Sequence, residues 1–272
     1  MTGEQHFALT AGDFRALTWG NGDETVLFLH GLTGVAEVWG PTISHLPGSR
    51  RYVALDQRGH GQSPHAASLD YSAGAFGRDT VEVLDCLGTN THLVGHSMGA
   101  RIALLVAARH PRKVRSTTIV DIGPEASRKN IADTVAGLAR RQERFADRQA
   151  ALAFGFRSRQ PTPDEEAIFL ARLKEHADGS LTWRSPADVL AECVTRQRSR
   201  SYWTDWRSIR GPAMFIHGGA STEVTTAIAD RMNATNQSVR FERLHDIAHN
   251  VPLIAPAALA ALLEDFWRSL ER

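Results

Sequence analysis

Residues 93–103 read LVGHSMGARIA, an apolar run that is interrupted by two glycines and a serine. The segment GHSMG matches the pattern G-x-S-x-G, in which a strand turns sharply into a helix. An apolar run precedes the pattern, and a run with helical period follows it. Gly95 and Gly99 permit close backbone approach across such a turn, and Ser97 is left with its hydroxyl exposed. This context predicts that Ser97 is a nucleophile at the end of a buried strand.

Short apolar runs recur along the chain and alternate with segments of helical period. Most of them are almost continuous, as strands buried on both faces of a parallel sheet should be. The runs are TVLFLHG (25–31), RYVALDQ (51–57), THLVGHS (91–97), STTIVDIG (116–123), PAMFIHGG (212–219) and SVRFERLHDIAH (238–249). Before them, HFALTAGDFRALTW (6–19) contains a turn signal and predicts an antiparallel hairpin at the sheet edge. We therefore expect a doubly wound α/β sheet with its functional site at the carboxyl ends of the strands.

The segment 125–210 breaks this alternation, because it has a helical pattern and no clear strand over roughly eighty residues. A helical insertion between two strands is typical of a cap or lid. The sequence thus predicts a core formed by 1–124 and 211–272, and a cap formed by 125–210. The cap is rich in arginine, and its arginines either clamp a substrate carboxylate or form a solvated helix face. The arginines considered are Arg140, Arg141, Arg144 and Arg148.

Composition limits the class of partner. The chain has 272 residues, with 31 Lys and Arg against 30 Asp and Glu, so no strong field recruits nucleic acid or an anionic membrane. Cys86 and Cys193 fit neither a disulfide framework nor a metal site, which indicates free thiols in a reducing compartment. The start of the chain lacks a signal-peptide pattern, and the apolar run 102–108 is too short to span a bilayer. We expect a cytoplasmic monomer or homodimer that acts on a small molecule and water, without a cofactor or metal.

Two further motifs carry a resemblance to a known family. LFLHGLTG (27–34) and LDQRGHGQSP (55–64), taken with the G-x-S-x-G turn, resemble the α/β-hydrolase family over essentially the full length of the chain. The resemblance implies a mostly parallel eight-stranded sheet with a helical cap inserted between strands six and seven. It also implies that the backbone N–H groups of Leu32 and Met98 form an oxyanion hole. His30 is a candidate substrate contact, although packing and hydrogen bonding suit it better.

The second of these motifs contains Asp56, Arg58 and His60. In the family this turn lies beside the site, so we expect the three side chains to hold neighbouring loops in place.

A serine hydroxyl needs a base within hydrogen-bond reach. The family order of serine, acid and histidine requires a histidine beyond the last strand, and LHDIAHNVPLIAP (244–256) offers two. His249 stands just before the final helix, as the family pattern requires, whereas His245 lies nearer the strand. His249 is therefore the predicted base.

The acid of this triad is less clearly marked in the sequence. In the family an Asp usually follows the strand that corresponds to 212–219. Here the loop reads Ala-Ser-Thr-Glu and offers only Glu223, which also suits the first turn of a helix. Asp121 ends another buried strand, 24 residues after Ser97. The chain resembles a subgroup that takes its acid from this strand, such as (acetamidomethylene)succinate hydrolase-like enzymes. We favour Asp121 and keep Glu223 as the alternative; Asp246 is too near the predicted base in sequence.

A serine, a histidine and an acid together predict hydrolysis of a carboxylic ester, lactone or amide-type bond through an acyl-enzyme. Cleavage of an activated C–C bond such as a β-diketone, or perhydrolysis, would use the same residues. A receptor of this fold that binds a small ligand without turnover is an alternative of another class. Arg101, Trp203 and Trp206 are candidate substrate contacts, and the two tryptophans could instead seat the cap on the core.

Overall fold

The computed structural model describes residues 2–126, 128–157 and 159–271. The strands within these ranges are β1 (Thr2–Leu9), β2 (Gly12–Trp19), β3 (Thr25–Leu29), β4 (Arg51–Leu55), β5 (Thr91–His96), β6 (Ser116–Val120), β7 (Arg144–Phe145), β8 (Leu173–Glu175), β9 (Leu181–Trp183), β10 (Ala213–Gly218) and β11 (Val239–Leu244). Eight of them form one sheet in the order β1-β2-β4-β3-β5-β6-β10-β11. β2 pairs antiparallel with β1 and β4, and the remaining neighbours are parallel. The predicted mostly parallel sheet and its edge hairpin are confirmed.

Helices cover both faces of this sheet. They are α1 (Gly40–Ile43), α2 (Ala73–Leu87), α3 (Met98–Arg109), α4 (Arg128–Ala139), α5 (Arg148–Phe156), α6 (Pro163–Ala171), α7 (Ala187–Arg198), α8 (Trp203–Ser208), α9 (Thr226–Thr235), α10 (Val251–Ile254) and α11 (Pro256–Ser269). Short 3-10 turns occur at Ala36–Trp39 and Pro111–Lys113. Among the helices that the structure describes, none combines the length and the apolar character needed to cross a membrane.

The central strands are buried because both of their faces carry apolar side chains. Successive residues of a strand point to opposite faces. On β3, Leu27 and Leu29 therefore pack into the core that includes α2, α3 and α8, whereas Val26 and Phe28 pack into the core that includes α11. The sheet is held between two apolar layers, and the carboxyl ends of its parallel strands form one edge where polar residues collect.

The insertion between β6 and β10 carries α4 to α8 and, unexpectedly, a second sheet in the order β7-β9-β8. The prediction of no strand in this segment was wrong. These antiparallel strands have two or three residues each, too few to display a period of two in the sequence. Phe145, Leu173 and Leu181 from the three strands are buried together against α6, in an apolar cluster of their own. The division into a core and a cap at 125–210 stays a prediction.

Candidate active site

The turn between β5 and α3 places Ser97 in a strained backbone conformation. Ser97 has φ 54° and ψ −116°, a region that L-residues rarely occupy. Its N–H donates to the carbonyl of Val120 at 2.9 Å, which ties the turn to β6. A Cβ atom on Gly95 would lie 2.3 Å from the carbonyl oxygen of Gly99, and one on Gly99 would lie 2.3 Å from that of Leu29. A side chain at either position would collide with backbone atoms, so both positions require glycine.

Three side chains from separate loops meet at this turn. His249, between β11 and α10, has its Nε2 atom 2.9 Å from Ser97 Oγ and its Nδ1 atom 2.7 Å from Asp121 Oδ2. Asp121 directly follows β6 and is fully buried. Because a carboxylate only accepts, Nδ1–H donates to Asp121 and Nε2 accepts the hydroxyl proton of Ser97. This is the tautomer that can remove a proton from the serine.

The Asp121 carboxylate is held by two further donors. The N–H of Gly218 donates to Oδ1 at 2.8 Å, and the hydroxyl of Ser221 donates to Oδ2 at 2.5 Å. Ser221 Oγ itself accepts from the N–H groups of Glu223 and Val224, so its proton is directed to the carboxylate. Ser221 stands in the loop where the family usually has its aspartate, and sequence reasoning missed its role there.

The competing candidates lie elsewhere. Glu223 forms an ion pair with Arg198 at 3.1 Å and has no hydrogen bond to His249 in the described residues. His245 and Asp246 are exposed in the turn after β11. The structure thus brings Asp121, and not the alternative carboxylate, to the predicted base.

The predicted oxyanion loop lies against the serine. A Cβ atom on Gly31 would lie 3.1 Å from Ser97 Cβ, so the loop that continues into Leu32 lies against Ser97. Met98 is the first residue of α3, where backbone N–H groups lack partners within the helix and carry partial positive charge. Thr33 adopts φ 65°, and a Gly34 N–H bond to the Gly31 carbonyl closes the turn.

Two buried histidines support these loops. His30 Nδ1 donates to the carbonyl of Gly31 at 2.8 Å, and His30 Nε2 accepts from the N–H of Gln57 at 3.1 Å. Burial lowers the pKa of His30 to about 4, so the ring is neutral. With both nitrogens engaged, His30 supports the loop and is not placed as the candidate substrate contact. His96 Nε2 donates to the carbonyl of His249 at 2.8 Å, and burial lowers its pKa to about 4 as well.

The turn after β4 is fixed by its polar side chains. Asp56 accepts the N–H of Ala36 at 2.7 Å, and Arg58 binds both carboxylate oxygens of Asp79 at 2.5 and 2.6 Å. Burial lowers the pKa of His60 to about 3. These contacts are those of side chains that hold loops in place.

Arg101 lies beneath the predicted oxyanion hole. Its side chain is buried, and its guanidinium stacks over the ring of Tyr202 at 5.0 Å. Among the described residues its Nη1 atom has no hydrogen-bond partner. With Leu32 and Met98 it lines a cavity of about 10 Å³, which is room for about one water molecule. The candidate contact at Arg101 is thus placed next to the site, in a very small space.

The two candidate tryptophans belong to the core. Trp203 and Trp206 lie on α8 and are buried in the apolar cluster that contains α3. Trp206 Nε1 donates to the carbonyl of Met232 at 3.0 Å, which fixes the indole against α9. Neither ring lines the cavities beside Leu32. The two tryptophans are therefore not placed as the candidate substrate contacts, because α8 packs against α3.

Of the insertion arginines chosen from the sequence, Arg140, Arg144 and Arg148 lie on the surface, whereas Arg141 is largely buried over the Trp183 ring. Three of them form ion pairs: Arg141 with Glu143, Arg144 with Asp178, and Arg148 with Glu166. Arg140 is exposed. A different cap arginine, Arg172, lines a cavity of about 160 Å³ together with Leu32 and Asn250. Nothing local marked it in the sequence.

No group of three His, Cys, Asp or Glu side chains suited to a metal ion occurs in the described ranges.

Comparison with known proteins supplies the family. A model of the alpha/beta hydrolase fold matches residues 24–256. The chain is 25% identical to the 2-(acetamidomethylene)succinate hydrolase of Mesorhizobium japonicum, over 89% of this chain and 87% of that protein. It is 29% identical to the mouse sn-1-specific diacylglycerol lipase ABHD11, over 75% and 69% of the two chains. A shorter stretch is 39% identical to a Variovorax paradoxus protein named carbamate hydrolase RutD, of which it covers 38%.

Solved structures agree on the fold. The crystal structure of E-2-(acetamidomethylene)succinate hydrolase has a TM-score of 0.88 at 23% identity and covers 98% of this chain and 100% of that one. The enol-lactonase of Burkholderia xenovorans has a TM-score of 0.76 at 17% identity, covering 97% and 100%. Because the family model spans most of the sequence, the chain belongs to the α/β-hydrolase family of enzymes, as its motifs predicted.

Proposed function

We propose that this protein uses a serine nucleophile to hydrolyse a carboxylic ester, lactone or amide-type bond of a small molecule. Ser97 is the nucleophile, His249 the general base, and Asp121 the acid that orients it. The observation that carries the proposal is the continuous chain of hydrogen bonds through these three side chains, 2.9 Å and 2.7 Å long. A nucleophile bonded to a base, which is bonded to an orienting group, is the arrangement that activates serine.

The first half of the reaction forms an acyl-enzyme. His249 Nε2 takes the proton of Ser97 as Oγ attacks the substrate carbonyl carbon. The carbonyl oxygen becomes an oxyanion, to which the N–H groups of Leu32 and Met98 donate. The imidazolium, stabilised by Asp121, then gives its proton to the leaving alcohol or amine as the bond to carbon breaks.

The second half repeats these steps with water. His249 removes a proton from water, the hydroxide attacks the acyl carbon, and the same N–H groups stabilise the second oxyanion. Collapse of this intermediate releases the carboxylic acid and returns the proton to Ser97. A serine nucleophile gives an ester intermediate, which disfavours the haloalkane and epoxide chemistries that use aspartate in this family.

The names of the relatives support acyl transfer to water. They include a 2-(acetamidomethylene)succinate hydrolase and a diacylglycerol lipase, and a structural neighbour is an enol-lactonase. These names cover several bond types, which a panel of ester, lactone, amide and β-diketone substrates separates.

The test is release of 4-nitrophenol from 4-nitrophenyl acetate, with a burst that equals the enzyme concentration. Ser97→Ala should abolish both the burst and turnover. Ser208→Ala, on an exposed helix end, is the matched control and should behave as wild type. Ligand binding without any turnover of ester, lactone, amide or β-diketone substrates would refute the proposal and favour a receptor. Turnover of β-diketones alone would favour C–C bond cleavage.

A further inference from the structure

Arg172, in the insertion between β6 and β10, is a partly buried cation without an anion. It lies between α6 and β8. In the part of the chain that the structure describes, no carboxylate is within ion-pair distance of it, and its buried Nε atom has no hydrogen-bond partner. Seven arginines of the insertion are paired with acids, namely Arg141, Arg144, Arg148, Arg159, Arg196, Arg198 and Arg200. Arg184 also has a buried Nε atom without a partner in the described residues, but it lines neither the cavity nor the cleft that Arg172 lines.

The position of Arg172 relates it to the reacting atoms. It lines the cavity of about 160 Å³ together with Gly31 and Leu32 of the predicted oxyanion loop, and with His96. Arg172, Asn250 and Leu253 also line a wider cleft of about 1040 Å³ between α5, α6 and the core. Arg172 therefore stands where an outer cleft adjoins an inner cavity, whose wall includes Gly31, the residue that lies against Ser97.

A partly buried guanidinium is destabilising when no anion pairs with it. Burial lowers the pKa of Arg172, and the positive charge of Arg172 contributes to the lowered pKa of His30. A partly buried charge regains stability when an opposite charge is bound. The planar fork of guanidinium donors matches the two oxygens of a carboxylate.

The size of the inner cavity limits the length of the substrate between its scissile carbonyl and an anion bound to Arg172. Sites for drug-sized ligands start at about 300 Å³, and this cavity is smaller. A short chain between the scissile carbonyl and the anion fits such a space.

We infer that Arg172 binds a carboxylate of the substrate, and that the preferred substrates are half-esters or amides of short dicarboxylic acids. This inference rests on the proposed function, because Ser97 and the N–H of Leu32 define where the reacting carbonyl lies. Arg172 determines specificity and takes no part in proton transfer.

The kinetic test compares monoethyl succinate with diethyl succinate, followed by release of ethanol. Wild type should prefer the monoanion in kcat/KM. Arg172→Met should reduce the monoanion-to-diester ratio by about tenfold to a hundredfold, the effect of losing a charge-assisted hydrogen bond. Arg172→Lys keeps the charge without the fork and should give an intermediate ratio. Arg144→Met removes a surface cation paired with Asp178 and should leave the ratio as in wild type. An equal ratio in wild type and Arg172→Met would overturn the inference.

A binding test separates this inference from the proposed function. Succinate should raise the Tm of wild type and of Ser97→Ala, but not of Arg172→Met, and neutral succinamide should raise none of them. If 4-nitrophenyl acetate gives a burst and succinate has no effect, the Arg172 inference fails alone. If succinate binds through Arg172 and no substrate is turned over, the proposed function fails alone. Stabilisation by inorganic phosphate but not succinate would replace the carboxylate by a phosphate-bearing ligand and overturn the inference. If Arg172→Met does not fold, Arg172→Lys supplies both comparisons.

Discussion

Replacing Asp121 by asparagine tests the proposed acid with the smallest change in shape. The carboxylate accepts from three donors: Gly218 N–H at Oδ1, and the Ser221 hydroxyl and His249 Nδ1–H at Oδ2. In an asparagine, an NH2 group takes the place of either Oδ1 or Oδ2. If NH2 occupies the Oδ1 position, it meets the backbone N–H of Gly218, a buried contact between two donors that costs about 1–3 kcal/mol.

The opposite orientation avoids that contact and disables the base. With NH2 in the Oδ2 position, His249 must accept at Nδ1 and carry its proton on Nε2, where it can no longer take the proton of Ser97. The wrong tautomer is associated with a loss of about 10⁴-fold in kcat, which is about 5.4 kcal/mol of barrier at 1.36 kcal/mol per factor of ten. We expect Asp121→Asn to lose activity to about this extent while it keeps its fold.

The assay is the burst and steady-state rate with 4-nitrophenyl acetate, with circular dichroism to verify folding. Glu223→Gln is the matched control, because Glu223 lies in the neighbouring loop and pairs with Arg198. It should change kcat by less than about fivefold, the factor for 1 kcal/mol. A larger loss for Glu223→Gln than for Asp121→Asn would refute the assignment of the acid.

Three further outcomes are expected. Ser221→Ala should lower kcat by about tenfold or more with little change in KM, since a hydrogen bond to a charged group contributes about 1.5–3 kcal/mol; an unchanged kcat would show that Ser221 does not tune Asp121. Gly99→Ala should lower the Tm steeply or prevent folding, because its Cβ would lie 2.3 Å from the Leu29 carbonyl oxygen; a wild-type Tm would contradict the contact. Burial lowers the pKa of His60 to about 3, so unfolding, which raises it, takes up a proton below about pH 6.5. Stability is therefore lost as pH falls from about 6.5, by up to about 1.4 kcal/mol per pH unit from this group. Urea unfolding at pH 6.5 and 4.5 should show a smaller loss in His60→Gln, and an equal loss would be evidence against a buried neutral ring.

The turn that holds Ser97 could be predicted from sequence because its requirements are local. The approach of Gly95 to Gly99 and the positive φ of Ser97 arise within one turn, so they are written in five consecutive residues. The sheet was predictable for a similar reason, since almost continuous apolar runs mark strands buried on both faces. The strands β7 to β9 were not, because each has only two or three residues and β7 pairs with partners up to 38 residues away, Arg144 with Thr182 and Phe145 with Leu181.

The proposed acid could be predicted from the sequence only in part. Parallel strands end at one edge of the sheet, so a carboxylate after β6 was a sound candidate for a histidine after β11. The choice between Asp121 and Glu223 needed coordinates, because both positions follow strands that end near His249. Ser221 shows why: its hydroxyl reaches Asp121 across 100 residues of sequence, and a serine in a loop carries no local signal for that contact.

The cap arginines set a stricter limit on sequence reasoning. Arg172 combines two properties, the absence of a paired acid and a place in the cavity lined by Gly31 and Leu32, and sequence distance reports neither of them. Arg141 pairs with Glu143, two residues away, but Arg144 pairs with Asp178 at a separation of 34. Glu143 is adjacent to Arg144 in the sequence, yet the partner of Arg144 is Asp178, so an acid nearby in sequence does not identify the partner. The run of arginines at 140–148 is conspicuous in the sequence, whereas Arg172, which lines a cavity with Gly31 and Leu32, has no such local signal. Whether a charged side chain stays unpaired after folding depends on all of the contacts in the structure. The unpaired guanidinium of Arg172 is what points to a carboxylate ligand.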